Sequence, residues 1–139
     1  MTTKRLAPPD LFDSRPFGFS QMVVAEAGRQ VVHMSGQVAW TPEREIVGPD
    51  DLHAQVVQSL RNIERALGHV GASLDDVHAL RIYIKLSHID QPEEVTRGLI
   101  DVFGDKLPCA TWIGVPRLAN EAFLVEIEPS AVTIPAQAR

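Results

Sequence analysis

The 139-residue chain holds one cysteine, Cys109, so it can form no internal disulfide, and such sparing use fits a reducing compartment. Its apolar runs fall far below the roughly 20 residues that a membrane span needs. The opening Met1-Thr-Thr-Lys-Arg-Leu-Ala-Pro-Pro9 carries two basic residues with no apolar stretch behind them. It therefore does not read as a secretory signal, and cytoplasmic residence away from any membrane is expected. Basic residues are outnumbered, 13 against 18 acidic ones, for a formal net charge of -5. No Lys/Arg cluster offsets that balance, which argues against a nucleic-acid partner. The five histidines, His33, His53, His69, His78 and His88, form no close ligand pair, so neither a metal site nor a cofactor is expected.

What is present suits one small core. With 45% hydrophobic residues, no linker-like tract, no internal repeat and no low-complexity segment, residues 1–139 read as one domain. Ser20 to Glu26 and Gln30 to Ser35 flank Ala27-Gly28-Arg29 and read as a hairpin, and Val38 to Trp40 can continue the sheet until Thr41-Pro42 turns it. From Asp51 to Val70, Leu52, Val56, Leu60, Ile63, Leu67 and Val70 recur at steps of three and four. That spacing puts them on one face of a helix, bounded by Pro49-Asp50 and Gly71. Leu80, Ile82, Ile84 and Leu86 alternate with Arg81, Tyr83 and Lys85, the pattern of a half-exposed strand. A second helix follows, with Asp90 as a cap, Pro92 in its first turn and Glu93 placed to reach back to the cap amide. Val95, Leu99, Val102 and Phe103 form its apolar stripe, and Gly104 ends it. Thr111 to Val115 and Phe123 to Ile134 read as the closing strands, with Pro129 marking a bulge or a sheet edge.

Two helices with one apolar face each must pack on the same side of a sheet, which gives an α+β architecture whose other face is left to be covered. Apolar side chains on that second face would predict self-association.

Several dispersed pieces point to one family. Phe19-Ser20-Gln21 is similar to an aromatic-Ser-Gln entry to a first strand, and Ser35-Gly36-Gln37 to a Ser-Gly-Gln turn. Gln55, Gly71-Ala-Ser-Leu-Asp-Asp-Val77, Leu107-Pro-Cys-Ala-Thr-Trp-Ile-Gly-Val115 and Val125-Glu-Ile-Glu128 follow in order. Together they resemble the RidA/YjgF family of small imine and enamine deaminases over nearly the whole chain. The resemblance implies a chorismate-mutase-like α+β fold, a mixed sheet with two helices packed on one face, and a homotrimer with small-molecule clefts between its subunits. It places ligand-binding positions on Phe19, Ser35, Gly36, Thr96, Ala110, Thr111 and Trp112. The glutamate that positions or activates the hydrolytic water falls on Glu126.

Three positions depart from the family's pattern. Its pocket tyrosine falls on Phe19, its pocket asparagine on Thr96, and its carboxylate-clamping arginine on Ala110. An arginine presents a planar fork of donors matched to a carboxylate, and alanine presents none. Keeping the water site while losing the clamp implies a changed substrate or a lost activity. Phe19, Thr96, Ala110 and Trp112 together imply a cleft more apolar than the family norm, suited to a neutral or aromatic ligand.

The residues themselves allow two readings at several points. Glu126 and Glu128 share one face of the last strand, where a partly buried carboxylate would have a raised pKa and could act as a base, or where both could form a solvated acidic face. Cys109 follows a proline but has no activating His or Asp pattern, so a small buried residue is favoured over a nucleophile. Ser73-Leu-Asp-Asp76 has capping-box spacing. Trp40 and Trp112 suit a ligand pocket or a subunit interface equally. Two functions follow from the whole: a hydrolase acting on a reactive imine or enamine, or a trimeric accessory protein that binds a small ligand without turnover.

Overall fold

Helix α1, Leu52–Gly68, forms where an apolar residue recurs at every third or fourth position, and Leu52, Val56, Leu60, Ile63 and Leu67 are all buried. The Asp51 side chain caps it by accepting from the Ala54 amide. Helix α2, Pro92–Phe103, buries Val95, Leu99 and Phe103 in the same way. The two helices pack closely at Gly98, where a Cβ would stand 2.5 Å from Val56 Cγ1. These features come from a computed structural model that describes residues 3–134.

Both helices lie on one face of a mixed sheet built from β3 (Gln30–His33), β4 (Val77–Lys85), β5 (Cys109–Val115) and β6 (Val125–Thr133), in the order β3-β6-β4-β5. Only the β4–β5 pair is parallel. Leu80, Ile82 and Ile84 of β4 and Val125, Ile127 and Ala131 of β6 join the helical stripes in one core. The alternate residues, Arg81, Tyr83, Lys85, Glu126, Glu128 and Ser130, line the other face. That open face is therefore mostly polar, not the second apolar face that would by itself drive association.

The expected hairpin does not form. Strand β2, Met22–Ala25, pairs instead with β1, Thr3–Leu6, in a separate two-stranded ribbon, while β3 pairs with β6. Packing explains the choice: Met22 and Val24 stay exposed on the ribbon, whereas Val32 of β3 sits opposite Ala131 and packs against the core. Val38 to Trp40 forms no ladder: isolated bridges flank it, Gln37 with Ile127 just before it and Trp40 with Ile46 at its end.

Other boundaries move by short distances. Leu86 falls in a 3-10 turn, Leu86–His88, and is 51% exposed, so β4 ends before it. That turn leaves Gln91 at the cap of α2 with no side-chain bond, and neither Asp90 nor Glu93 makes the expected cap. Val70 lies beyond α1 and is exposed. At the 3-10 turn Leu74–Asp76, the Ser73 amide does donate to Asp76 Oδ2 at 2.9 Å.

Pro129 marks no sheet edge, because β6 is central. The Ile127 amide donates to the Gln37 carbonyl, so by strand alternation the nitrogen of Pro129 faces the same side. There β3 has already ended at His33, and a missing donor costs no ladder bond.

One side chain ties these parts together. Gln55 is fully buried in α1; its amide nitrogen donates to the carbonyls of Gly48 (3.2 Å) and Ala122 (3.0 Å), and its oxygen accepts from the Leu124 amide (2.9 Å). Gln55→Leu strips partners from three backbone groups, and a buried group left unpaired costs about 1–3 kcal/mol. Urea unfolding of Gln55→Leu should show a loss of about 2–4 kcal/mol with an unchanged denaturant slope.

Candidate functional site

The alternation of β6 sends Glu126 and Glu128 to the open face while Val125 and Ile127 enter the core. Glu128 accepts from the Tyr83 hydroxyl at 3.3 Å. Burial and that neighbouring carboxylate hold the Tyr83 hydroxyl above its usual pKa. Glu126 meets a different environment. Gln37 exchanges backbone hydrogen bonds with Ile127 at 2.7 and 2.9 Å, which lays Gly36 directly against the Glu126 side chain. A Cβ on Gly36 would stand 2.6 Å from Glu126 Oε2, so only glycine permits the approach.

Gly36 and Glu126 share a cavity of about 560 Å³ with Trp40, Phe123, Asn62 and Arg65. Trp40 and Phe123 meet edge to face at 4.8 Å. Asn62, projecting from α1, donates to the carbonyls of Val38 (3.0 Å) and Trp40 (2.9 Å) and so fixes the loop that carries the aromatic wall.

Phe19, Thr96 and Trp112 come together elsewhere, in a groove of about 810 Å³ shared with Phe12, Phe17 and Ile100. Phe12 packs edge-on against Phe17 (6.1 Å) and Phe19 (6.2 Å), and Phe19 against Trp112 (6.5 Å). The Thr96 hydroxyl donates to the Phe17 carbonyl at 2.8 Å, so it holds the groove's wall. The buried indole nitrogen of Trp112 has no hydrogen-bond partner among the described residues. Aromatic rings make up much of its wall, and Glu93, Arg97 and Asp101 line it as well, while Ala110 does not.

Ala110 and Thr111 lie in a third cavity, of about 490 Å³, with Phe19, Cys109, His78 and Arg81. Burial pushes the Cys109 thiol up, away from the thiolate form that a nucleophile needs. Burial, with His33 nearby, holds His78 below its usual pKa. Ser35 is exposed and lines none of the three cavities. Six of the seven ligand positions and Glu126 thus fall into three groups; Phe19 joins the second and third, and the Gly36–Glu126 cavity stands apart.

Asn62, Arg65, Phe12, Phe17 and Phe123 escape sequence reasoning. The one available signal is that Phe12, Phe17 and Phe19, three of five phenylalanines, fall within eight residues. Among the described residues no three or more His, Cys, Asp or Glu side chains come together to hold a metal ion, and no helix is long and apolar enough to cross a membrane.

Solved structures share this fold. The chain superposes on the conserved Rid-family protein YyfB of Yersinia pestis with a TM-score of 0.86 at 35% identity, covering 94% of this chain and 98% of that one. Escherichia coli TdcF, solved with bound serine, matches with a TM-score of 0.62 at 28% identity over 82% and 87%. These likenesses bear out the chorismate-mutase-like α+β fold. A RutC family protein of Pyrococcus horikoshii is 30% identical over 119 residues, 84% of this chain and 89% of its own length. Residues 14–133 match the family described as Endoribonuclease L-PSP, and the chain belongs to that Rid/YjgF family.

Gly36→Ala tests the closest contact in the site. The atoms that an added methyl meets all belong to the flexible Glu126 side chain, so the carboxylate should swing aside while the fold stays within about 1 kcal/mol of wild type. Thermal unfolding should barely move, and the Glu126 carboxyl resonance in a carbon NMR spectrum should shift.

Proposed function

We propose that this protein is a small-molecule hydrolase of the imine or enamine type, working in clefts between the subunits of a homotrimer. One observation supports the reading: within a single chain the candidate residues line separate cavities. Glu126 and Gly36 occupy one cavity, with Glu126 rooted on the open face of the sheet. Trp112 lies opposite Ile82 in the ladder, on the helix-covered face, with Phe19 and Thr96. A complete cleft then needs one half from each of two copies. Phe12 at 62% exposure and Phe17 at 55% supply apolar surface for such a contact.

The chemistry follows from the halves. Glu126 takes a proton from water as its oxygen attacks the C=N carbon, and the nitrogen takes up a proton. Collapse of the adduct then releases the amine or ammonia and leaves a carbonyl. Ser35-Gly36 brings ligand close to backbone, and the aromatic groove receives the body of the substrate. Apolar burial there is worth about 25 cal/mol per Å². Small 2-imino acids lack such a body and find no guanidinium at Ala110, so they are poor substrates. A second reading, ligand binding without turnover, draws on Thr96 and Ala110. The Thr96 hydroxyl is already committed to Phe17, and Ala110 offers no donor.

Light scattering at micromolar concentration should return three times the 15.3 kDa chain mass. A monomer mass would overturn the shared cleft. For activity, imines made in situ from phenylalanine and from alanine by an amino-acid oxidase should be compared. The phenylalanine-derived imine should be cleared at least about tenfold faster, and Glu126→Gln should lose about 10²–10⁴ in rate. If the protein accelerates neither imine, the hydrolase reading fails and the binding reading takes its place.

A further inference from the structure

We propose that Arg65 is the anion anchor of the Glu126 cavity, and that it selects an aromatic monocarboxylate. The inference rests on the reading of that cavity as part of the ligand site. Arg65 lines the same space as Glu126 and Gly36, yet no hydrogen bond or ion pair engages it among the described residues. Other guanidinium groups are committed: Arg15 holds Asp13, Arg29 holds Glu26, Arg61 holds Glu64 and Arg97 holds Glu94. The sequence shows why Arg65 differs. Its neighbours three and four places away on the helix are Arg61, Asn62, Gly68 and His69, and none is a carboxylate.

The position is also well supported. Asn62, one turn earlier, binds α1 to the carbonyls of Val38 and Trp40, so the root of Arg65 is fixed relative to the loop that walls the cavity. No ion pair joins Arg65 to Glu126, which leaves both groups free for a ligand. A carboxylate bound beside Glu126 would suffer like-charge repulsion unless a cation stood with it, and a guanidinium fork is matched to a carboxylate. Trp40 and Phe123, set edge to face, provide an apolar corner in the same cavity for a ring. Recognition of the carboxylate has thus moved from position 110 to the end of α1.

Calorimetric titration with 3-phenylpropanoate, its neutral amide and propanoate tests this on the full chain. Wild type should bind 3-phenylpropanoate at least about tenfold more tightly than either of the other two. Arg65→Gln should erase the preference for carboxylate over amide, and Arg65→Lys should keep part of it, as a point charge does. Arg61→Gln removes the same charge from the same helix outside the cavity and should change nothing. Failure of wild type to bind 3-phenylpropanoate, equal binding of the amide, retention of the preference in Arg65→Gln, or equal losses in the two glutamine variants would each overturn the proposal. Arg65-dependent binding without imine turnover sinks only the hydrolase reading. Turnover with binding indifferent to Arg65 sinks only this one.

Discussion

The three hydrogen bonds of Gln55 are the constraint on which the rest depends. A neutral amide buried in α1 is tolerable only if its donors and acceptor are used, and here they are used on backbone from the loop at Gly48 and from the entry to β6. Satisfying the amide therefore fixes the chain at Leu124, just before β6. From there the two-residue alternation decides everything downstream: Val125 and Ile127 go inward, and Glu126 goes out. The Gln37–Ile127 bridge can form only in that register, and it alone brings Gly36 against Glu126. A one-residue slip would bury both glutamates and expose the core face of the strand.

Much of the scaffold was legible because its signals are local. Residues of α1 from Leu52 to Leu67 repeat with the helix period, and Leu80, Ile82 and Ile84 alternate with the strand period. The ribbon was not legible, since β2 has suitable partners on two sides and the choice between β1 and β3 is made by a core contact from β6, some hundred residues away. The cap expected for α2 failed for a more local reason. Asp90 has the right chemistry, but the 3-10 turn before it shifts the helix start by one residue.

The candidate site was legible as residues and not as groups. Family likeness named Gly36 and Glu126, and the structure joins them; it also named Phe19, Thr96 and Trp112, and joins those separately. Sequence spacing does not reveal that these sets lie on opposite faces of one sheet. Nothing in the sequence marks Arg65 as a site residue: the lack of a carboxylate three or four places away leaves it without a helical ion pair, as on many solvated faces.

The aromatic groove and Ala110 lie on the same side of the sheet. Ala110 pairs with Leu80 and Trp112 with Ile82, so both side chains lie on the helix-covered face, packed against the core. Trp112 reaches Phe19, and Phe19 reaches Phe12, forming a chain of edge-on rings beside α2. A long guanidinium rooted on that face would leave solvent, and desolvation of a charge is expensive. The Ala110 methyl carries no such cost. A charged group is better placed where it meets solvent, and Arg65, exposed at the end of α1, does so beside Glu126 in the other cavity.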